Sequence, residues 1–209
     1  FLERYKGTKM KRIEAVYREL LYNAMENKKF VFTQSELSKK FNLSLSIVNS
    51  AVKKLDSMGA VKIMQRSFRV LDVKKMLYYW ASIRNLEKDI IFKARVEVPV
   101  REIERLMPDV VFGAYTAYKL RFNDVPADYS EVYVYADMTG LENIKKRLLK
   151  SKTSISESKR NPNLFILKKD SLMSLYQAMP TAQIFVDLWN IKEWYAKEFI
   201  NNIERRIAV

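Results

Sequence analysis

The chain has 209 residues, 48% of them hydrophobic, and its 38 Lys and Arg against 24 Asp and Glu give a net charge of +14. This length is sufficient for one or two domains with a buried core, and the composition is that of a folded, basic protein. Because the chain has no His, no Cys and only 4 widely spaced glycines, it cannot supply a Ser-His-Asp triad, a thiolate nucleophile, a zinc finger or a glycine-rich phosphate loop.

The first third of the chain is predicted to form three helices. Apolar residues between 9 and 26 recur at helical spacing, which predicts a first amphipathic helix. Thr33 and Ser44 are suitable N-caps for a short second helix and for a third helix that ends at Gly59, because a hydroxyl there accepts a hydrogen bond from a free backbone amide. The third helix has one apolar face, and its opposite face is polar and basic.

A basic hairpin is predicted directly after these helices. Residues 60–64 and 68–71 alternate as two strands, and residues 65–67 have the composition of a turn. The succession of helix, short helix, helix and hairpin over residues 1–72 resembles a winged helix-turn-helix domain. Residues 1–75 carry 17 Lys and Arg against 7 Asp and Glu, a balance of +10, so most of the excess positive charge lies in this region.

The resemblance implies that the third helix enters the major groove of double-stranded DNA and that the hairpin contacts the adjacent backbone. Ser46, Asn49, Ser50 and Lys53 are then expected near base edges, and Lys54, Lys62, Arg66 and Arg69 near phosphates. Gln34, Ser35 and Ser44 complete the predicted DNA-binding set. Two alternatives remain open here: a solvated helix face with an ordinary charged hairpin, and a winged helix that docks onto another protein.

A bridging helix is predicted over residues 73–90. Asp72 is a suitable N-cap, and the apolar stripe of this segment runs toward Asp89 without an interrupting Gly or Pro. Its aromatic residues, Tyr79 and Trp80 among them, predict burial between two domains or, alternatively, a dimer seam.

Residues 91–209 are predicted to form a mixed α/β domain, so the whole chain is expected to have an α+β fold. Strands are expected at 92–100, 110–112, 131–136 and 164–167, and helices at 101–107, 114–122, 141–149, 171–189 with a break near Pro180, and 192–207. Residues 151–163 are polar and are predicted to be a loop.

Two segments of this domain resemble a nucleotidyltransferase. Gly113 is placed at a strand-to-helix turn, and the next strand presents Glu131, Tyr133, Tyr135 and Asp137 on one face. In a nucleotidyltransferase such a turn is followed by two carboxylates one residue apart that bind metal ions. Tyrosine here replaces the second carboxylate and Ala114 the second turn residue, so the resemblance implies a degenerate fold that has lost catalysis.

A third segment, residues 181–199, contains an apolar run with Val186, Asp187 and Leu188 and resembles the AbiEi-type antitoxin regulators. These proteins combine a winged helix with a C-terminal α/β domain. The resemblance implies a repressor that binds inverted repeats in its own promoter, as a homodimer or as paired copies, and that antagonises a cognate toxin protein. For Asp187 the sequence favours a helix cap or an ion pair over a catalytic role.

The predicted function is therefore a sequence-specific, non-enzymatic transcriptional regulator without a cofactor or a metal. One alternative is a metal-dependent nucleotidyltransferase-like enzyme that uses Glu131, Asp137 and Asp187. Another is a winged-helix adaptor for protein or RNA. No apolar run approaches the roughly 20 residues needed to span a bilayer, and no secretory segment is recognisable, so a cytoplasmic location without membrane contact is expected.

Overall fold

The structure of the chain is a computed structural model that describes residues 9–151, 155–156 and 161–207, and it has an α+β fold with two sheets. Its helices are α1 (Lys9–Glu26), α2 (Gln34–Phe41), α3 (Leu45–Ser57), α4 (Val73–Ile83), α5 (Val100–Leu106), α6 (Ala114–Phe122), α7 (Met138–Lys150), α8 (Thr181–Trp189) and α9 (Ala196–Ile207). Its strands are β1 (Val31–Phe32), β2 (Val61–Ile63), β3 (Phe68–Val70), β4 (Ile90–Val96), β5 (Val111–Gly113), β6 (Val132–Ala136), β7 (Ile155–Ser156) and β8 (Leu164–Lys168).

The described residues form two compact units. The first extends to Arg84 and also includes Pro180–Val186, whereas the second comprises Asn85–Met179 and the residues from Asp187 onward. Helix α4, which the sequence assigned to a separate bridge, therefore belongs to the first unit. Helix α8 contributes its first six residues to one unit and the rest to the other.

The first unit contains a small antiparallel sheet in the order β1-β3-β2. Phe32 and Phe68 are direct partners in the β1–β3 ladder, and their rings stack with centroids 5.9 Å apart. One face of this sheet is buried, while Val31, Lys62 and Arg69 are exposed. The buried face joins an apolar core supplied mainly by α1, α3 and α4.

Helix α4 is shorter than the sequence predicted. Asp72 caps its start, accepting a hydrogen bond from the Lys75 amide at 2.8 Å, but the helix ends before Arg84 instead of running toward Asp89. The Arg84 backbone is extended, and Leu86–Asp89 forms a separate 3₁₀ turn capped by Asn85. The Asn85 side chain favours this new start because it accepts a hydrogen bond from the Lys88 amide.

The aromatic residues of α4 pack inside the first unit. The Tyr79 ring meets Tyr17 of α1 edge-on at 5.7 Å. Trp80 is fully buried, and its indole N–H donates to Glu14 at 3.1 Å; Arg84 binds the same carboxylate oxygen at 3.0 Å. The aromatic stripe therefore contributes to the core of its own unit.

The second unit is built on a mixed five-stranded sheet in the order β5-β6-β8-β4-β7, in which β6 and β8 are parallel and the other neighbours antiparallel. The prediction of a mixed sheet is confirmed. All five residues of β6, the second strand in this order, are buried, so the strand has no solvent face. The short strand β7 lies where a loop was predicted, and Ile155 pairs with Val96. The remainder of that predicted loop, residues 152–154 and 157–160, lies outside the described residues.

Several predicted boundaries in this unit were wrong for identifiable reasons. Strand β4 ends at Val96, because the chain turns there toward Pro99, which is the N-cap residue of α5. Helix α7 begins early, at Met138, because Asp137 caps it. The predicted break near Pro180 is confirmed, since α8 starts directly after it, but the part before the break is a 3₁₀ turn, Ser171–Leu175, and not an α-helix. The last helix begins only at Ala196 and not at residue 192. Within the described residues, no helix is both long and apolar enough to cross a membrane.

Candidate nucleic-acid interface

Helix α3 is fixed by burial of the apolar face that the sequence predicted. Val48, Ala51, Val52 and Leu55 are all 0% exposed. The Ser44 hydroxyl caps the start, accepting a hydrogen bond from the Ile47 amide at 3.3 Å. This packing leaves little freedom for rotation of α3 about its axis, so the side chains on its opposite face have defined positions.

The opposite face of α3 is polar, basic and accessible. Ser46, Ser50 and Lys53 are exposed, as is Lys54, and Asn49 is half-buried. The Lys54 ammonium lies 5.9 Å from the centre of the Tyr79 ring, at the outer limit of a cation–π contact. Lys54 therefore points along the flank of α3 toward α4, whereas Lys53 has no such aromatic contact within the described residues.

The start of α2 lies beside the first half of α3. The Gln34 side-chain amide is 3.5 Å from the Asn49 amide oxygen, a long hydrogen bond that links the two helices. Gln34 is half-buried, and Ser35 and Ser44 are exposed. The predicted polar residues of α2 and α3 thus belong to one continuous surface of the first unit.

The hairpin β2–β3 carries paired positive charges. Lys62 and Arg69 are direct cross-strand partners and are both exposed. Arg66, in the connecting turn, is exposed as well. Like charges directly opposite each other on two antiparallel strands repel. This arrangement therefore has a free-energy cost that an anion bound on the same face would reduce.

The hairpin is attached to the end of α3. The Asp56 carboxylate accepts a hydrogen bond from the Ile63 amide at 3.0 Å, and its backbone carbonyl accepts one from the Gly59 amide at 2.9 Å. Gly59 has φ +72°, a left-handed conformation that permits the sharp turn from α3 into β2. These contacts set the position of the basic hairpin relative to the exposed face of α3.

Acidic side chains of the first unit are largely occupied by internal ion pairs. Glu36 pairs with Lys29, and the buried Glu19 carboxylate pairs with Lys40 at 2.5 Å. The Glu14 carboxylate is held by Arg84. Consequently the surface formed by α3 and the hairpin is dominated by its basic groups, with Asp56 as the acidic residue at their junction.

The residues proposed for the enzyme alternative lie apart. Glu131 and Asp137 flank β6 at opposite ends, six positions apart, which corresponds to about 20 Å along a strand. A divalent ion requires ligand oxygens about 2.0–2.6 Å away, so the pair cannot share one ion. Throughout the part of the chain that the structure describes, no group of three or more acidic side chains is placed to hold a metal.

Both carboxylates are engaged in local contacts. Asp137 caps α7, accepting a hydrogen bond from the Gly140 amide at 2.7 Å. Glu131 accepts one from the Tyr195 hydroxyl. Burial raises the pKa of Glu131, and the Tyr195 hydrogen bond only partly offsets this effect.

Asp187 takes part in a contact that sequence reasoning missed. It is fully buried within α8, away from either cap, and accepts a hydrogen bond from the Tyr135 hydroxyl at 2.7 Å. A Cβ atom on Gly113 would lie 3.0 Å from the Tyr135 ring and 3.5 Å from the Asp187 carboxylate. The glycine that suggested a catalytic turn therefore also permits close packing of a buried Tyr–Asp pair.

Comparison with protein-family models, with curated proteins and with solved structures finds no match to this chain. Inference about its function therefore depends on its own residues and contacts. Of these, the α3 face and the hairpin bring most of the predicted DNA-binding residues onto one unit, while the candidate metal ligands are dispersed.

Proposed function

We propose that the chain is a sequence-specific, double-stranded-DNA-binding transcriptional regulator whose first unit is a winged helix-turn-helix. The observation that carries this proposal is the exposed Lys62–Arg69 pair, attached through Asp56 to the end of a helix with a polar and basic outer face. A repulsive cation pair beside an exposed helix is suited to phosphates next to a groove.

In this proposal α3 lies in the major groove and the hairpin lies on the neighbouring backbone. Ser46, Asn49 and Ser50 read base edges, because a short polar side chain can reach them without blocking entry of the helix. The phosphates are bound by Lys54, Lys62, Arg66 and Arg69, which releases counterions from the DNA. Binding is then strongly salt-dependent.

The AbiEi-like role forms the biological part of the proposal. The chain binds an inverted repeat in its own promoter, as a homodimer or as paired copies, and its second unit serves a partner, a cognate toxin among the candidates. The division of the described residues into two units supports separate tasks. The engagement of Glu131 and Asp137 in local contacts supports a second unit that performs no phosphoryl transfer.

Selection of random duplex DNA by the purified full chain tests this function. The expected result is enrichment of one motif arranged as an inverted repeat, since paired binding reads the same half-site twice. A selection that enriches no motif contradicts sequence-specific DNA binding and favours the adaptor alternative. Metal-dependent incorporation of labelled nucleotide, abolished by Asp137→Ala, would instead establish the enzyme alternative.

A further inference from the structure

A groove runs along one edge of the large sheet, within the second unit. Strand β5 is the first in the order β5-β6-β8-β4-β7, so its outer edge has no strand partner among the described residues. Two adjoining cavities of about 400 Å³ and about 320 Å³ lie beside it. They share Phe112 and Leu120 in their walls, and the two together are here called the β5 groove.

One part of the β5 groove is apolar. Val111 and Phe112 are only half-buried, and Leu120 of α6 is 66% exposed although it is a large hydrophobic residue. Ala117 and Met179 complete this apolar wall. Such a combination of an open strand edge with exposed apolar side chains is unusual in a protein that has no partner at that surface.

The other part of the β5 groove is basic. Arg101 and Arg105 lie one turn apart on α5 and are both exposed, and Lys119 and Arg121 of α6 line the groove as well. Glu104 is the acidic residue in the described walls. Four cationic side chains thus face one carboxylate.

The charge of Glu104 is neutralised internally. It accepts hydrogen bonds from Thr116 at 2.8 Å, from Tyr129 at 2.7 Å and from the Lys119 ammonium. Burial by itself would raise the pKa of this carboxyl, but these three hydrogen bonds outweigh burial and hold it below its ordinary value. Glu104 and Lys119 therefore cancel each other, and Arg101 and Arg105 determine the charge that an occupant meets.

We infer that the β5 groove binds an extended, acidic segment of a partner protein, which adds as a strand to the edge of β5. Backbone pairing at the edge would supply affinity, and alternate side chains would meet the two kinds of wall: apolar ones at Phe112 and Leu120, acidic ones at the arginines. This inference does not depend on the proposed binding of DNA by the first unit.

The chemistry of the groove favours this occupant over two others. A nucleic-acid backbone would use the arginines but not the exposed apolar wall at Leu120. A second copy of this chain would bring its own net charge of +14 toward a basic groove. An acidic and apolar peptide satisfies both parts of the surface.

A display library of random short peptides, selected on the full chain, tests the inference. We expect enriched peptides in which acidic and apolar residues alternate. Their affinity should fall by about tenfold or more in Arg101→Glu with Arg105→Glu, because two attractive charges become repulsive. Leu120→Asp should also weaken binding, and because Leu120 is exposed this substitution leaves the core intact.

The matched control is Lys146→Glu with Lys150→Glu on α7, which changes the net charge equally at exposed positions outside the groove. Peptide affinity should be retained in this variant. Selection of basic peptides, or of none, would overturn the inference, as would equal losses in the control and groove variants. Binding of nucleic acid, or self-association, that is lost only in the groove variants would assign the groove to those occupants instead. If the groove variants lose peptide binding but retain DNA binding, the result concerns the β5 groove alone and leaves the proposed binding of DNA by the first unit intact.

Discussion

Tyr135 illustrates how a single side chain can determine what a site does. The tyrosine occupies the strand face on which a metal-binding enzyme would carry a carboxylate, and its hydroxyl is used to satisfy the buried Asp187. A buried carboxylate requires hydrogen-bond donors, because the cost of its desolvation is not otherwise recovered. The sequence predicts a tyrosine in place of a carboxylate, but the partner of Tyr135 lies 52 positions away and cannot be found from local sequence.

Tyr135→Phe should destabilise the protein. It removes a donor to Asp187 without changing the packed ring, so we expect a loss of about 1–3 kcal/mol in the free energy of unfolding. Urea denaturation of the two proteins measures this difference. The double variant Tyr135→Phe with Asp187→Asn should lose less than the sum of the single losses, whereas strict additivity would show that the two side chains do not interact.

Glu131→Gln should change how stability depends on pH. Burial raises the folded-state pKa of Glu131 above its ordinary value of 4.5. Its contribution to stability is thus fully present below the unfolded pKa and is lost as pH rises through the folded pKa. Glutamine retains an acceptor for Tyr195 but does not titrate, so the variant should gain stability relative to the parent as pH rises above 4.5. Parallel pH profiles of the melting temperature would contradict this expectation.

Asn49→Ala should relax sequence discrimination at one base pair. Asn49 is half-buried on the polar face of α3, and the Gln34 side-chain amide lies 3.5 Å from its amide oxygen. The loss of a base contact should cost about 1–3 kcal/mol on the selected site and little on unrelated DNA. Competition binding with single-base variants of the selected site measures this loss of discrimination. An equal loss on all sequences would show that Asn49 does not read a base.

At the scale of helices and strands, local sequence signals predicted the first unit well. Helix α1 extends over Lys9–Glu26 as its periodicity indicated, and the caps at Thr33, Ser44 and Asp72 all accept the expected backbone hydrogen bonds. These features depend on residues within a few positions of one another. Periodicity and capping chemistry therefore contain the necessary information.

The features of helices and strands that the sequence did not predict arise from contacts between residues that are distant in sequence. Residues 155–156 form a strand because β4 offers them a partner, although the segment 151–163 around them is largely polar. Strand β6 is buried on both faces because residues of α5 and α7 pack against one face, and Tyr115 of α6 and Asp187 of α8 contact the other. The β5 groove had only a weak local signal, the spacing of Arg101 and Arg105 by one helical turn. Its apolar wall is assembled from separate segments.

Gly59→Ala should destabilise the junction between α3 and the hairpin. Gly59 has φ +72°, where an L-residue with a Cβ atom is strained, although the space around it is open. We expect a loss of about 1–2 kcal/mol in unfolding free energy. Ser57→Ala, at an exposed position two residues earlier, is the control and should stay within about 0.5 kcal/mol of the parent. Equal stabilities for the two variants would show that the turn tolerates a side chain.

At the scale of the whole molecule, the uneven distribution of charge is the feature that connects sequence to function. The structure assigns the basic hairpin and the outer face of α3 to the first unit, and a smaller basic groove to the edge of the second. The chain thus presents two basic surfaces of different character. The first has a mainly polar outer face on α3, with Leu45 exposed at its start, and is the surface proposed to bind DNA. The second has an apolar wall beside its arginines and is the surface proposed to bind an acidic peptide.

The proposed binding of DNA by α3 is tested most directly by the salt dependence of duplex DNA binding in the double variant Lys53→Ala with Lys54→Ala. Its control, Lys146→Ala with Lys150→Ala, removes the same charge from α7 in the second unit. In a plot of the logarithm of the binding constant against the logarithm of salt concentration, the slope should become shallower by about one unit for each phosphate contact removed from α3. We expect weaker binding and a shallower slope for the α3 variant only; an unchanged affinity and slope would contradict DNA binding through α3.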